Sequence, residues 1–258
     1  MTRAFQDFMK YFNFLMELVK RDFKRKYYKS VLGILWTILN PLMMMVVITI
    51  VFSTLFKRNI PNFPVYYLTG YVIHNFIVTT TRLSIGSVLG NGGLIRKIYI
   101  PKYMFCLSNV LVQFITLLFS LIPLFLVMIV TKAPFTKYAL LFPIPLLYAL
   151  VFTLGLSLIL STYGVYFRDL NHLYGIITMM WMYATPLFYP ISIIPERFRF
   201  LWDLNPNYIF ITIARNLMVD GIMPSQKMLI VATCYSVITL IMGIVVFQEK
   251  ENKFFLHI

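Results

Sequence analysis

The chain has 258 residues, 60% hydrophobic and 12% charged, with a mean hydropathy of +0.79. A domain facing water carries about 25% charged residues, so most of this surface faces something else, and the length suits one membrane domain without a second, soluble one. The net charge of +14 comes from 23 Lys and Arg against 9 Asp and Glu; lying between apolar runs, these cations set orientation in a bilayer and do not mark a nucleic-acid binder.

Residues 1–30 form the first element. Phe5, Phe8, Met9, Phe12, Leu15, Met16, Val19 and Phe23 recur at helical spacing, while Lys10, Lys20, Arg21 and Lys24 fall largely off that stripe. The pattern predicts an amphipathic helix lying in the membrane interface with its cations near anionic head groups; packing on a soluble partner is the alternative. The segment has no short apolar core with a small-residue cleavage site, so it is not patterned as a secretory leader.

Six apolar runs follow, near residues 31–56, 65–87, 105–130, 138–163, 172–190 and 226–247. The first is roughly 39 Å long as a helix, enough to cross a ~30 Å hydrocarbon core with tilt. Asn40-Pro41 is expected to kink or open it. The second carries His74, Asn75, Thr79, Thr80, Thr81 and Arg82, and a span this polar should face other helices or an aqueous path. His74 and Asn75 are suited to hydrogen bonds across helices. Cys106 and Cys234 fall inside apolar runs as small hydrophobes, with no spacing for a metal site or a disulfide framework.

Residues 190–225 mix Phe, Trp, Ile and Leu with charges. They are expected to form short helices dipping into the outer leaflet, with Trp202 and Tyr208 at the interface, and to cap a pathway. The fold class is therefore an all-α membrane protein of about six transmembrane helices, with an N-terminal interfacial amphipathic helix and outer re-entrant helices between spans five and six. It divides into a cytoplasmic interfacial helix (1–30), a six-span core (31–247) and a cytoplasmic tail (248–258).

Basic residues orient it. With the N-terminus inside, the cytoplasmic face holds Arg3, Lys10, Lys20, Arg21, Lys24, Arg25, Lys26, Lys29, Arg96, Lys97, Lys102, Arg168, Lys250 and Lys253. The other face holds Lys57, Arg58, Lys132, Lys137, Arg197, Arg199, Arg215 and Lys227. The excess places both termini in the cytoplasm and requires an even number of spans.

The chain shows no means of extracting energy. The only glycine cluster, Gly90-Asn91-Gly92-Gly93, lacks the Lys and hydroxyl that complete a phosphate-binding loop. All nine acids sit at span ends or in loops, so neither the paired acids of an ion-coupled carrier nor the acid/base pair or acidic metal ligands of a membrane enzyme are evident. No catalytic residue, metal site or cofactor is expected in this chain.

Five motifs then share one likeness. SVLGILWTILNPLMMMVVITIVFSTLF (30–56), with Leu32-Gly33, Trp36 and Pro41, resembles the first-span signature of type-2 ABC (ATP-binding cassette) exporter permeases. LIRKIYIPKYMFCLS (94–108) is similar to that family's cytoplasmic coupling segment, and YFRDL (166–170) to its second cytoplasmic connection. TPLFYP (185–190) and NPNYIFITIARNLMVDG (205–221) resemble the end of span five and the outer re-entrant region. Within the family the likeness is to permeases exporting lipid-linked polysaccharide, of O-antigen, teichoic acid or capsule type.

The resemblance implies a bacterial inner-membrane homodimer joined by two cytoplasmic ATP-binding subunits, which carry the ATP and magnesium. It implies ATPase coupling through Leu94, Ile95, Arg96, Lys97, Ile98, Tyr99, Pro101 and Lys102, whose mixed apolar and basic turn suits a partner's groove. Arg168 and Asp169 would fix the second loop by pairing or by touching the ATPase. Trp36, Asn40, Tyr71, Phe76, Trp181, Tyr183, Phe188 and Tyr189 are candidates for the substrate pathway, because sugars stack on aromatic faces; anchoring at the interface is the competing role. Trp202, Asn205, Pro206 and Arg215 are candidates for an outer gate. Arg215 would tie the re-entrant helices to a neighbouring carbonyl or acid, or meet a lipid-linked pyrophosphate. A drug or lipid efflux permease of the same fold and, further off, a membrane-embedded glycosyl or lipid transferase are the alternative functions.

Overall fold

A computed structural model describes residues 2–28, 30–52, 60–97, 100–251 and 254, with side chains from residue 11 onward. Those residues form ten α-helices and no strands: α1 (Thr2–Tyr27), α2 (Trp36–Ile50), α3 (Phe63–Ile85), α4 (Gly92–Ile95), α5 (Tyr103–Val130), α6 (Pro143–Tyr166), α7 (Leu170–Ala184), α8 (Phe200–Asp203), α9 (Pro206–Arg215) and α10 (Gln226–Glu251). Four stretches are long and apolar enough to cross a membrane: Gly33–Ile50, Tyr103–Val130, Lys137–Tyr166 and Gln226–Glu251. Helices α3 and α7 fall outside that set for opposite reasons: α3 has the length but is polar, whereas α7 is apolar but has 15 residues.

Side-chain bonds fix the direction of each helix. Asn62, before α3, donates to Thr131, after α5, at 3.0 Å, and the ring of Tyr148 stacks on Phe210 near the start of α6. At the opposite end Asn109 of α5 donates to Ser84 of α3 at 2.8 Å, and the Tyr174 hydroxyl of α7 donates to Thr81 at 2.7 Å. Also there, Tyr166 of α6 donates to the Lys250 carbonyl of α10 at 3.2 Å. Successive long helices α2, α3, α5, α6, α7 and α10 therefore alternate in direction, and α1 lies at the same end of the bundle as the last turn of α10.

The polar helix α3 occupies the centre, packed against α2, α5, α6, α7 and α9. Its buried polar groups are satisfied locally or by neighbours: Thr69 and Ser84 bond the carbonyl four residues back, both at 2.8 Å, and His74 Nδ1 lies 2.6 Å from the Asn207 amide of α9. Bonds of this kind between membrane helices average about 0.6 kcal/mol each. Glycines allow the tightest contacts. Gly155 of α6 lies so close to the backbone of Thr239 and Leu240 on α10 that a Cβ would collide with it, and Gly243 meets Gly155 from the other side. Small-residue crossings of this type let helix backbones approach where no water drives association.

The structure refines three expectations. The interfacial helix does not stand apart from the bundle: α1 climbs along the first half of α5, with Phe14 edge-on to Phe105 at 6.5 Å and Asp22 accepting the Ser108 hydroxyl at 3.2 Å. Leu15, Leu18 and Val19 are buried in that seam, while Phe12 and Met16 stay exposed; the side chains of Phe5, Phe8, Met9 and Lys10 lie outside the described residues. Helix α2 runs through Pro41 unbroken. The carbonyl that Pro41 leaves without its usual donor, that of Thr37, is instead approached by the Ser120 hydroxyl at 3.5 Å. The fifth run ends its helix at Ala184 instead of continuing to 190, because Pro186 forces Thr185 out of the helical region, to φ −105° and ψ 129°.

Candidate translocation path and coupling surface

The connection from α3 to α5 turns through α4 at the α1 end of the bundle. Ile95 is buried with Met104, Phe105 and Cys106 of α5 and Leu15, Leu18 and Val19 of α1, and Leu94 packs against the same cluster. Arg96 and Lys97 project outward, so the apolar residues of this turn anchor it and the basic pair forms its outer face. Ile98 and Tyr99 lie outside the described residues. Lys102 faces inward, not toward a partner: it is 5% exposed, its backbone N–H donates to Glu251 Oε1 at 3.2 Å and its ammonium to the Glu251 carbonyl at 2.8 Å. Burial lowers its pKa and the Glu251 carboxylate opposes that shift. Pro101 lines a cavity of about 660 Å³ between α1, α5, α6 and α10.

The second connection, at Arg168 and Asp169, is exposed, and no ion pair joins these two among the described residues. The first connection and this one are tied through the end of α10. Lys102 holds Glu251, Tyr166 holds Lys250, and the Lys250 ammonium lies 4.4 Å over the Tyr163 ring.

Four of the eight pathway candidates, Trp36, Asn40, Tyr71 and Phe76, meet in one chamber of about 250 Å³ between α1, α2, α3 and α5. Trp36 and Asn40 form its exposed side, while Phe76 is buried as its wall, edge-on to Phe114 at 6.0 Å. Three more candidates lie at the opposite end of the bundle. Phe188 packs against Tyr183 and Tyr189 at 6.0 Å and 5.7 Å. A run of rings joins the two groups: Tyr71 to Tyr67 at 5.4 Å, Tyr67 to Phe63 at 6.4 Å, Phe63 to Phe52 at 6.1 Å and Phe52 to Phe188 at 5.1 Å. These separations suit stacked and edge contacts between aromatic rings. Phe63 and Tyr67 were not among the candidates, although their spacing with Tyr71, four residues each, places all three on one helix face. Trp181 stands apart from this run and packs against Phe152 at 6.4 Å.

The four outer-gate candidates separate in space. Trp202, Asn205 and Pro206 border a shallow 380 Å³ depression beside Trp181. Asn205 caps α9 by accepting from the Asn207 and Tyr208 backbone N–H groups, and it also accepts from the Trp181 indole at 2.8 Å. Arg215 is buried beneath them. Its guanidinium donates to the carbonyls of Tyr66, Pro186 and Leu187 at 3.2, 2.7 and 2.9 Å. Three carbonyls occupy the fork, so Arg215 holds the loop after α7 against α3, with Asp220 near enough to act on its charge.

The family model of the ABC-2 type transporter matches residues 13–219. The O-antigen export system permease protein RfbA of Myxococcus xanthus is 30% identical over 257 residues, 98% of each chain. A protein of the same name from Klebsiella pneumoniae is 28% identical over 94% of each chain. The polysialic acid transport protein KpsM of Escherichia coli is 22% identical over 242 residues, 91% of this chain and 92% of that one. With part of α1 and all of α2 to α9 inside the match, this chain belongs to the ABC-2 type transporter family.

Proposed function

We propose that this chain is the membrane-spanning subunit of an ATP-binding cassette exporter, one that moves a lipid-linked polysaccharide of O-antigen or teichoic acid type across the bacterial inner membrane. The observation that carries this reading is similarity along 98% of the chain to an O-antigen export permease. In it, all six alternating helices cross the bilayer, α9 is a re-entrant element at the outer side, and both termini are cytoplasmic. The basic end of the bundle, carrying Lys24, Arg25, Arg96, Lys97 and Arg168, then faces the cytoplasm, in keeping with the excess of cations expected there.

Two such subunits pair, and two ATPase subunits dock beneath them carrying ATP and magnesium. The apolar faces of α2 and α7 support pairing. Met43, Val46, Val47 and Ile50 on α2 and Ile176, Met179 and Met180 on α7 are exposed, and each helix buries only two residues in its own subunit. The chamber and the run of rings above it give a glycan aromatic surfaces on which to stack, alongside amide and hydroxyl groups.

The test is purification of the tagged chain from its host in mild detergent, followed by an ATPase assay. Recovery of an ATP-binding subunit, lost when Arg96 and Lys97 become Glu, supports the reading. A chain that purifies alone, and whose deletion leaves surface polysaccharide intact, overturns it.

A further inference from the structure

The cavity of about 660 Å³ between α1, α5, α6 and α10 shares no lining residue with the chamber and does not touch α2 or α7, the helices whose exposed faces support pairing. Its walls are Leu107 of α5, Leu154 and Leu158 of α6, and Leu240 and Ile244 of α10. Ile244 also belongs to an apolar face of α10 that stays exposed together with Ile238, Ile241 and Val245. The cavity therefore opens toward hydrocarbon. An apolar groove on such a surface gains dispersion contacts only when a chain fills it, and water at that depth finds too few polar partners to stay.

The length of the groove fits a lipid of one leaflet. Leu240 and Glu251 stand eleven positions apart on α10, roughly 17 Å along the helix axis, or about half of a ~30 Å hydrocarbon core. The deep end adjoins the crossing of Gly155 with Thr239, where α6 and α10 meet backbone to backbone. The shallow end is the last turn of α10.

The polar groups gather at that shallow end: Gln248 and Glu251 of α10 and Tyr11 of α1. Among the described residues no lysine or arginine lines the cavity. Lys102 is close by but turned inward, 5% exposed, with its ammonium on the Glu251 carbonyl. The Glu251 carboxylate accepts the Lys102 backbone N–H on Oε1 at 3.2 Å. A carboxylate offers about four acceptor sites, so it keeps capacity for a donor arriving from the bilayer. The mouth thus presents a negative charge at the most basic end of the bundle, and an amphiphile that matches it carries a cationic donor at the level of its head group.

We propose that this cavity binds one phospholipid of the phosphatidylethanolamine type from the leaflet at the α1 end. One acyl chain lies against Leu158 and Ile244, the head-group ammonium donates to Glu251, and the Gln248 amide serves the phosphate. The proposal needs α10 to cross a bilayer and does not depend on what the chain exports. The lipid head is then seated on the residue that ties the start of α5 to the end of α10.

The experiment is native mass spectrometry of the purified full-length chain with its associated ATPase, stripped of lipid in detergent and titrated with dioleoyl phosphatidylethanolamine or dioleoyl phosphatidylglycerol. The ethanolamine lipid is expected to bind about fivefold more tightly, the scale of one partly exposed ion pair. On a chain of net charge +14 a general attraction would favour the anionic glycerol lipid instead, so the two explanations differ in sign. Glu251→Gln keeps an acceptor for the Lys102 N–H and removes the charge; it is expected to abolish the preference while both lipids still bind. Ile244→Trp, at an exposed position, fills the groove and is expected to weaken the ethanolamine lipid by about fivefold or more. Equal binding of the two lipids to the parent, or a preference that survives Glu251→Gln, overturns the proposal. So does an Ile244→Trp variant that binds like the parent, which would put the lipid elsewhere on the surface. Failure of both lipids to bind would leave the groove to a protein partner and overturns it as well.

Discussion

The guanidinium carbon of Arg215 lies 3.5 Å from the centroid of the Tyr66 ring, and its Nε donates to that residue's own carbonyl at 3.2 Å. One side chain of α3 thus stacks on the cation while its backbone binds it, and the other two donor groups reach Pro186 and Leu187. This end of the bundle is closed by the cage: α9, the loop after α7 and the start of α3 all meet at Arg215.

Removing the guanidinium strands three carbonyls in an apolar setting. Hydrogen bonds to a charged group contribute about 1.5–3 kcal/mol each in favourable cases, so Arg215→Ala should destabilise the fold on the order of 3 kcal/mol or more. Arg215→Lys keeps the charge but cannot span three acceptors in a fork, and should fall between. Thermal unfolding in detergent orders the three proteins; an Arg215→Ala chain as stable as the parent would show that the cage is idle.

Where α6 crosses α10 there is no room for a side chain. A Cβ at Gly155 would meet the carbonyl of Thr239, which is backbone and cannot swing aside. Gly155→Val should therefore cost more than the about 1–3 kcal/mol usual for overpacking and appear as loss of folded protein in the membrane. Gly93, with nothing within 4 Å of its Cβ position, is the control: Gly93→Ala should express like the parent.

Lys102 and Glu251 join the start of α5 to the end of α10 through two hydrogen bonds, and Tyr166 binds the residue before Glu251. This clasp ties the two connections that would receive force from an ATPase. Glu251→Ala removes the bond to the Lys102 backbone, and in a working exporter it should lower polysaccharide exported per ATP hydrolysed by several-fold while leaving ATPase binding intact. Export and hydrolysis falling in equal proportion would count against a role in transmission.

Much of the helical architecture was legible because apolar runs and punctuation agree. The run at 105–130 became α5 over Tyr103–Val130, and Pro143 and Ser225 mark helix starts near where α6 and α10 begin. The polar second run was correctly expected to face other helices, since hydroxyls in a span must be satisfied by protein. What the sequence hid depends on three-dimensional neighbours. Nothing local shows that Lys102 bonds a residue 149 positions away, or that α1 climbs α5. Lys26 resembled its neighbours Lys24 and Arg25, and only the proximity of Gln113 and Thr116 singles it out. Phe63, Tyr67 and Tyr71 could have been found, because their four-residue spacing aligns them on any helix.

The altered titration of Lys26 makes a prediction whose sign can be worked out. An ordinary lysine titrates at 10.5, and burial brings Lys26 down to about 8. Below pH ~8 the ammonium is protonated in both folded and unfolded chains, and the fold bears a constant cost. Between about pH 8 and 10.5 the unfolded chain holds the extra proton, so the stability contributed by this residue rises with pH and then levels off. Among the groups around it, the phenols of Tyr27 and Tyr71 can titrate, whereas Gln113 and Thr116 cannot; burial raises the Tyr27 pKa, and both phenols are present in the two proteins compared. Subtracting the unfolding midpoint of Lys26→Met from that of the parent, at each pH from 7 to 10.5, removes most of what the remaining groups share. That difference should climb through the window. A flat difference would mean that the ammonium is hydrated in the folded chain, and that the bonds to Gln113 and Thr116 do not hold it out of water.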